Sequence, residues 1–305
     1  MGQSELSVVT GATGYTGKYI TRRLLAMGQR VISLTGHPGR QSPFGVQVPV
    51  IPFNFDKPSV LAESLHGATT LYNTYWVRFV YGRTTFETAV ENTRTLLWAA
   101  RHAGVRKFVH MSIANTDSHS TLPYYRGKGL LEEAVMNSGL SYAIVRPTVI
   151  FGPEDILINN IAWLLRHFPL FAIPVSGAYR VQPVFVEDVA NLAVDAALQD
   201  GDVVIEAIGP EIFTFRELVG CIAMAIQSRA QVVHVPSWLA LRLSRAVGWT
   251  MHDVMLTPEE MEGLLAGLLV SSASPTGRTR FSEWLQHHAT VLGIRYASEL
   301  HRHYR

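Results

Sequence analysis

The 305-residue sequence contains a single cysteine and only four lysines. The lone thiol, Cys221, excludes an intramolecular disulfide, and its apolar surroundings in ELVGCIAMAIQ predict a buried, inert side chain. Charged residues make up 16% of the chain, and the formal net charge is +2 with no long basic run. This distribution lacks the electrostatic footprint of a nucleic-acid-binding protein, so we expect a small-molecule partner and no nucleic acid.

Long apolar segments and targeting signals are also missing. The most apolar stretches, such as LLAGLLV, are far shorter than the ~20 residues that span a bilayer, so we expect no membrane span. The start, MGQSELSVV, has neither a basic segment nor an apolar core, and Leu6 stands where a myristoylation motif needs a hydroxyl residue. Together with the single thiol, these absences predict a protein of the reducing cytoplasm.

Three glycines spaced three residues apart follow the first apolar run. In VTGATGYTGK they are Gly11, Gly14 and Gly17, between a predicted strand and a helix predicted from about Tyr15 to Met27. In such a unit the first glycine permits a tight turn, the second lets a pyrophosphate reach the helix N–H groups, and the third allows close packing. We interpret the stretch as a dinucleotide cradle; the alternative is a glycine-rich turn without a ligand.

Strand and helix patterns alternate through the first half of the chain, and the predicted strands are ELSVVT, RVISLT, VPVIPF, TTLYNT, KFVHMS and SYAIVRP. The alternation returns near residues 183–208 as PVFV, a helix and DVVIEAI. Short connections between them predict a parallel sheet covered on both faces. We therefore predict an α/β fold, a Rossmann-type doubly wound parallel sheet with a smaller, discontinuous C-terminal substrate region. The predicted dinucleotide-binding domain comprises residues 1–150 and 183–208, and the predicted substrate region comprises residues 151–182 and 209–305. Within the latter, TPEEMEGLLAGLLV is predicted as a capped amphipathic helix.

The end of the second predicted strand indicates which dinucleotide binds. A ribose 2′-hydroxyl usually meets an acidic side chain there, whereas a 2′-phosphate requires a cation. The sequence LTGHPGR has no acid at this place but offers His37 and Arg40. NADP(H) is therefore favoured over NAD(H); the alternative is that Arg40 is an ordinary solvated loop residue.

Tyr124 and Lys128 in PYYRGKGLLEEAV are the candidates for proton transfer. Four residues apart on a helix that Pro123 can start, they share one face and are separated by about 6 Å of rise. A lysine cation so placed favours the phenolate and can bind ribose hydroxyls, so the tyrosine can act as an acid or a base. The alternative is a packed tyrosine beside a solvated lysine.

These motifs resemble the extended and atypical members of the short-chain dehydrogenase/reductase superfamily. The resemblance rests on TGATGxxG at residues 10–17, on the Tyr-x-x-x-Lys pair beyond the fifth strand, on IVRPTVIFGP and on PVFVEDVA. It implies an adenine pocket at Asn54-Phe55 and a nicotinamide-ribose contact at Asn73-Thr74. The predicted cofactor contacts are Gly11, Thr13, Gly14, Tyr15, Thr16, Gly17, His37, Arg40, Asn54, Phe55, Asn73, Thr74, Lys128 and Pro147.

Ser112 is the third member of the predicted catalytic set, with Tyr124 and Lys128. It ends the fifth predicted strand, where the resemblance expects a serine. In the sugar-nucleotide epimerases of this superfamily, the hydroxyl that polarises the substrate commonly lies two residues later, and that position is Ala114 here. Ser112 itself or a nearby residue between 115 and 118 could substitute for it, and the sequence does not choose among them.

We expect an enzyme, and a non-catalytic binding protein is the alternative. The Tyr124–Lys128 pair implies an NAD(P)-dependent oxidoreductase or a sugar-nucleotide epimerase/dehydratase-like enzyme, in which proton transfer accompanies hydride transfer. The stretches LTPEEMEGLLAGLL and ASEL are similar to bacterial relatives of the nucleotide-binding accessory subunit of respiratory complex I. That resemblance implies instead a non-catalytic NADP(H)-binding redox sensor or an accessory or assembly protein. A homodimer fits either function.

No metal site is predicted. His287-His288 and His301-x-His303 lack the acidic and cysteine ligands of a defined site. The aromatic residues in the stretch 72–81 could line a substrate pocket or pack in the core, and the sequence leaves both alternatives open.

Overall fold

Seven parallel strands form the central sheet of the chain, whose computed structural model describes residues 5–304. The strands, numbered along the chain, are β1 (Leu6–Thr10), β2 (Arg30–Thr35), β3 (Val50–Pro52), β4 (Thr70–Asn73), β5 (Lys107–Met111), β6 (Ser141–Pro147), β7 (Val149–Phe151), β8 (Leu170–Pro174), β9 (Arg180–Val181), β10 (Pro183–Phe185), β11 (Val203–Ala207), β12 (Phe213–Thr214) and β13 (Gln231–Val235). The helices are α1 (Tyr15–Ala26), α2 (Pro58–Ser64), α3 (Phe86–His102), α4 (Pro123–Met136), α5 (Leu157–His167), α6 (Val186–Ala197), α7 (Phe215–Ala225), α8 (Ser237–Met251), α9 (Pro258–Leu265), α10 (Phe281–His288) and α11 (Glu299–His303).

The central sheet has the strand order β11-β6-β5-β4-β1-β2-β3, and every neighbouring pair in it is parallel. Parallel neighbours need crossover connections, and the alternating helices supply them. The order reverses between β1 and β4, and sheets of this kind bind ligands beyond the carboxyl ends of the strands at such a point. The predicted Rossmann-type α/β fold is confirmed.

Nearly continuous apolar sequences explain why these strands lie inside the molecule. All five residues of β5 are buried, and Ala143, Ile144 and Val145 of β6 have no exposed surface. Helix α1 packs against α6, whereas α3 packs against α2 and α4, so the helices form two layers. One hydrophobic cluster joins Val8 and Phe108 of the sheet to the second of these layers.

The chain divides into two compact units. Residues 5–147 and 186–207 form the first unit, which contains the central sheet. Residues 148–185 and 208–304 form the second, with parallel pairs β7–β10 and β8–β13 and the antiparallel pair β9–β12. Its core is rich in aromatic rings; Phe151 of β7, for example, meets Phe281 of α10 edge-on at 5.1 Å between centroids. The role of this unit as a substrate region stays a prediction.

Two details differ from the sequence-based expectations. The run PVFV forms β10, which pairs with β7 and does not return to the central sheet, because the short strand after β6 gives it a nearer partner. DVVIEAI does return, as β11 beside β6. The helix predicted over TPEEMEGLLAGLLV begins with the expected capping box at Thr257 and Glu260 but ends at Leu265, since Gly267 adopts a left-handed backbone with φ of 73°. Within residues 5–304, no helix is both long and apolar enough to cross a bilayer.

Candidate functional site

The glycine loop connects β1 to α1 at the carboxyl edge of the central sheet. Gly11 adopts a left-handed backbone with φ of 63° and donates its N–H to the carbonyl oxygen of Leu34 at 2.7 Å. The N–H of Gly14 then donates to the carbonyl oxygen of Gly11 at 2.8 Å, and the N–H of Ala12 donates to Ser33 Oγ at 3.2 Å. The loop is thus a tight turn fixed to β2.

Side chains at the other two glycines would approach the backbone of this turn. A Cβ atom at Gly17 would lie 2.2 Å from the carbonyl oxygen of Gly11, and one at Gly14 would lie 3.1 Å from the same oxygen. Gly14 is the N-cap of α1, no side chain caps the helix, and its first turn carries no acid. N–H groups at such a helix start attract anions, so the cradle fits a pyrophosphate. The partly exposed residues beside the glycines are Thr13, Tyr15 and Thr16.

Thr10, the last residue of β1, organises the adjacent end of β4. Its Oγ1 accepts the N–H groups of Thr74 at 2.7 Å and Tyr75 at 3.0 Å, and its carbonyl oxygen accepts the hydroxyl of Thr74 at 2.5 Å. Asn73 is fully buried, and its Nδ2 donates to Nδ1 of His110 at 3.1 Å. The side chains of Asn73 and Thr74 are therefore engaged by the sheet, and their contact with a nicotinamide ribose stays a prediction.

His37 and Arg40 lie in an exposed turn after β2. The N–H of His37 donates to Thr35 Oγ1 at 3.1 Å, and the N–H of Arg40 donates to the carbonyl oxygen of His37 at 3.1 Å. Both side chains are exposed, and no acidic residue occurs between Thr35 and Arg40. A cation in this position can pair with a 2′-phosphate, which an acidic residue would repel.

Asn54 and Phe55 follow β3 beside an aromatic cluster. Asn54 adopts a left-handed backbone with φ of 49°, and Phe55 stacks on Phe53 with 4.6 Å between ring centroids. Tyr75 packs against both rings at 5.1 and 5.3 Å, and its hydroxyl accepts a hydrogen bond from Asn92 Nδ2 at 2.9 Å. Phe55 of the predicted adenine-binding pair therefore lies among aromatic rings, which suit the face of a purine.

Tyr124 and Lys128 lie on the first turns of α4, as their spacing predicts, and Pro123 is the first residue of that helix. Lys128 is 4% exposed, and its Nζ donates to the carbonyl oxygen of Met111 at 2.7 Å. Burial lowers the pKa of Lys128 to about 7, although the Glu132 carboxylate acts in the opposite direction. The lysine can therefore gain or lose a proton near neutral pH, a property typical of functional sites.

The indole ring of Trp76 packs against both members of this pair. Lys128 Nζ lies 4.8 Å from the indole centroid, a cation–π geometry. Tyr124 meets the indole edge-on at 5.9 Å, and Phe86 stacks on it at 5.8 Å. Gly127 makes room for the ring, because a Cβ atom there would lie 2.7 Å from its edge. The chain's own aromatic side chain thus fills space beside the Tyr–Lys pair.

Ser112 directs its hydroxyl into a buried polar network. The side chain is 3% exposed and donates to Oε1 of Glu132, a carboxylate that also accepts from Arg146 Nε at 3.0 Å. Ala114 offers no hydroxyl, and its N–H donates to the carbonyl oxygen of Pro147 at 2.9 Å. The serine is therefore engaged by Glu132, and a role for it in polarising a substrate stays a prediction.

Two residues of the site, Glu132 and His110, were missed by the sequence analysis. Trp76 was considered there only as one of the aromatic residues 72–81, although Gly127 gave a signal of its position, since a glycine inside a helix often marks a close approach. Glu132 follows Lys128 by four residues, so an acid on the buried face of α4 was its signal. His110 is fully buried on β5; burial first, and then the charge of Lys128, lower its pKa well below the ordinary value. A histidine in an apolar strand gave no specific signal that its ring would bind Asn73.

The aromatic residues 72–81 do not form one group. Tyr72 is 2% exposed within the sheet, whereas Tyr81 is 40% exposed. Tyr75 joins the cluster after β3, and Trp76 lies against Lys128. Core packing therefore describes Tyr72, and pocket lining by the other members of the stretch stays a prediction.

Metal ligands do not come together in residues 5–304, where no three histidine, cysteine or acidic side chains could hold an ion. His287 and His288 end α10, and Nδ1 of His288 donates to the carbonyl oxygen of Trp284 at 2.8 Å. The side chain of His303 lies outside the described residues.

Residues 11–155 match a protein family described as NAD(P)H-binding. A mitochondrial protein of Arabidopsis thaliana, NADH dehydrogenase (ubiquinone) 1 alpha subcomplex subunit 9, is 27% identical over 243 residues, which are 76% of this chain and 60% of that protein. The photosystem II assembly factor of Cyanidium caldarium is 23% identical over 247 residues, 79% of this chain and 78% of that protein. The chain thus spans only 60% of the length of the Arabidopsis relative.

Among solved structures, the triphenylmethane reductase of a Citrobacter species, complexed with NADP(H), has the same fold. The TM-score is 0.73 at 17% identity, with 92% of this chain and 99% of the reductase covered. The glycine loop, the end of β4 and the Tyr124–Lys128 pair all lie within the matched residues 11–155.

Proposed function

We propose that the chain binds NADP(H) at its glycine loop, because residues 11–155 match a family described as NAD(P)H-binding. The observation that carries this proposal is the start of α1, where Gly14 is the N-cap, no side chain caps the helix and the first turn holds no acid. Such a loop is explained by a ligand that needs the uncapped start of α1. Asn54 with Phe55 would hold the adenine, and Asn73, Thr74, Lys128 and Pro147 would lie nearest the nicotinamide end.

The preference for NADP(H) over NAD(H) rests on His37 and Arg40. An exposed cation in a turn without an acid would pair with the 2′-phosphate. Calorimetric titration of NADPH and NADH into the wild type and into Arg40→Ala tests this assignment, with Arg83→Ala as a control at another exposed arginine. The Arg40 substitution should weaken NADPH by roughly ten- to a hundredfold and leave NADH unchanged. Tighter binding of NADH by the wild type would overturn the assignment.

The bound nucleotide would serve a non-catalytic role, as in a redox sensor or an accessory subunit. This part of the proposal is supported by the hydroxyl of Ser112, which is donated to Glu132, and by Ala114 at the place of the usual substrate-polarising hydroxyl. Trp76 fills space beside Tyr124 and Lys128. The names of the two relatives, a respiratory-enzyme subunit and an assembly factor, point to protein partners for this chain as well.

A second candidate function is catalysis by an oxidoreductase or an epimerase/dehydratase-like enzyme, which the Tyr124–Lys128 pair favours. NADP(H) would supply hydride exchange at an oxygen-bearing carbon. Tyr124 would give or take the proton at that oxygen, and Lys128, with a pKa of about 7, would stabilise the phenolate. Arrangement of these two groups on one helix face satisfies the geometry of such a pair.

One experiment separates the two candidates. Carbonyl compounds and sugar nucleotides are screened for NADPH-dependent conversion by the wild type, by Tyr124→Phe and by the control Tyr125→Phe. The non-catalytic role predicts tight nucleotide binding in all three proteins and no conversion that depends on Tyr124. A loss of about 10² to 10⁴ in kcat for Tyr124→Phe alone would instead establish the enzyme.

Location and assembly remain proposals. The sequence predicts the cytoplasm and is compatible with a homodimer, while the Arabidopsis relative is named as mitochondrial. Fractionation of the native source and analytical ultracentrifugation of the purified chain test these two expectations.

A further inference from the structure

Helix α8 of the second unit presents a row of exposed aromatic and cationic side chains. Trp238 is 57% exposed and Trp249 is 82% exposed, although tryptophan usually contributes to cores. Arg242 and Arg245 lie between them and are also exposed, and the guanidinium carbon of Arg242 lies 5.2 Å from the ring centroid of Trp238. At 100° per residue, the four positions lie within about 60° of one another around the helix axis.

The opposite face of α8 is fixed to the second unit. Ala240 and Gly248 are buried, and the helix packs against β8. A Cβ atom at Gly248 would lie 2.6 Å from the carbonyl oxygen of Asp253, so the helix is closely seated on that side. The orientation that exposes both tryptophans therefore follows from the packing of the helix.

The charge on this face selects its partner. Helix α8, SWLALRLSRAVGWTM, contains no aspartate or glutamate, so its two arginines meet no acid on the helix itself. Indole rings partition to the boundary between lipid headgroups and acyl chains, and arginine attracts anionic headgroups. The row from Trp238 to Trp249 rises only about 16 Å, so it suits a helix that lies along a surface rather than one that crosses it.

We propose that the Trp238–Trp249 face of α8 docks the second unit on an anionic phospholipid surface. The helix lies in the plane of the headgroups, both indoles insert at the headgroup level, and Arg242 and Arg245 pair with lipid phosphates. This inference is independent of the nucleotide site, which lies in the first unit.

Co-sedimentation with vesicles of phosphatidylglycerol and phosphatidylcholine in equal parts tests the proposal on the full chain. The wild type should pellet with these vesicles and should not pellet with phosphatidylcholine alone. Trp238→Ser combined with Trp249→Ser should weaken partitioning by at least about tenfold, because the two rings that would insert at the lipid headgroups are lost. Arg242→Gln combined with Arg245→Gln should weaken it by about fivefold per arginine and reduce the dependence on salt.

The matched control variants carry the same types of substitution at exposed positions of the first unit. Trp98→Ser removes a tryptophan that is 42% exposed on α3, and Arg30→Gln combined with Arg83→Gln removes two exposed charges from the first unit. Both controls should pellet like the wild type, and NADPH titration should show that every variant retains its first-unit site. Failure of the wild type to pellet, or equal losses in control and α8 variants, would overturn the proposal. So would a wild-type dimer that the Trp238/Trp249 variant dissociates, since a second copy would then cover the face.

Discussion

The ammonium nitrogen of Lys128 lies 4.8 Å from the centre of the Trp76 indole ring, and the backbone of Gly127 lies beneath the edge of that ring. The contact gives the buried lysine a partial counter-charge from the ring face. The indole ring can occupy the space beside Tyr124 only because Gly127 has no side chain.

The first prediction concerns Gly127→Ala. The new methyl group would lie 2.7 Å from the indole edge, so the substitution should lower the free energy of unfolding by about 1–3 kcal/mol through overpacking. Urea unfolding measures the change. Gly220→Ala, inside α7 with no atom within 4 Å of the new Cβ, is the matched control and should stabilise by about 0.5–1 kcal/mol. In a Trp76→Leu background most of the cost of Gly127→Ala should disappear; a cost that persists would contradict the proposed contact.

The second prediction compares two glycines of the loop. Gly14→Val should abolish or greatly weaken NADPH binding while the fold persists, because φ of −74° suits valine and the branched side chain would occupy the place of the pyrophosphate. Gly17→Ala should reduce both affinity and stability, since its Cβ would lie 2.2 Å from a backbone oxygen. Calorimetry and thermal unfolding measure the two effects. Gly220→Ala in the second unit, whose Cβ would meet nothing within 4 Å, is the control and should keep the wild-type affinity. A folded Gly14→Val protein with wild-type affinity would contradict the cradle assignment.

The third prediction is a pH dependence of stability that comes from Lys128. Burial lowers its pKa from the ordinary 10.5 to about 7 in the folded chain, so between these values the unfolded chain binds more protons than the folded one. Stability contributed by this group therefore rises with pH from about 7 upward. The wild type should gain free energy of unfolding relative to Lys128→Met as pH increases over this window, as measured by urea titrations at several pH values.

A control for the lysine experiment is Leu131→Met on the same helix, which changes a fully buried side chain without removing a titratable group. The difference between this variant and the wild type should not vary with pH. A wild-type advantage over Lys128→Met that falls as pH rises would contradict the lowered pKa.

The fourth prediction concerns the network of Ser112, Glu132 and Arg146. Glu132→Gln should lower the free energy of unfolding by about 3–5 kcal/mol, because it leaves a partly buried guanidinium without its carboxylate. Ser112→Ala should cost less, about 1.5–3 kcal/mol, and should leave NADPH affinity unchanged. The exposed Glu133→Gln on the same helix is the control and should be nearly neutral. A Ser112→Ala protein of full stability would refute the hydrogen bond as a structural link.

The strands and helices of the first unit could be predicted closely from the sequence. SYAIVRP forms β6 and RVISLT forms β2 residue for residue, since buried parallel strands are continuous apolar runs with glycine or polar residues at their ends. The glycine loop was recognisable because its spacing imposes a backbone geometry. Local sequence was therefore sufficient to predict these strands and the glycine turn, because their structure depends on neighbouring residues of the chain.

The second unit and the details of the site depend on contacts between distant segments. Strands β7 and β10 have three residues each and pair across more than thirty residues of chain, so periodicity could not reveal them. Helix α8 begins after Pro236 without a side-chain cap, which removes the usual start signal. Likewise, the engagement of Ser112 by Glu132 depends on how α4 lies over β5, and a motif that places both residues correctly along the chain does not contain that information.

The late position of β11 has a consequence for biosynthesis. This edge strand pairs with β6, yet a ribosome must translate residues 148–185 and helix α6 before β11 emerges. Until then Ala143 to Val145 form an open, apolar sheet edge, a typical template for aggregation. The ammonium group of Lys107 also lacks two of its acceptors until then, because it donates to the carbonyl oxygens of Gln199 and Gly201 just ahead of β11. A nascent chain released early would therefore expose the aggregation-prone edge of β6 together with the cation of Lys107, which is buried in the full chain. The first unit is thus a poor candidate for expression as a fragment that ends near residue 150.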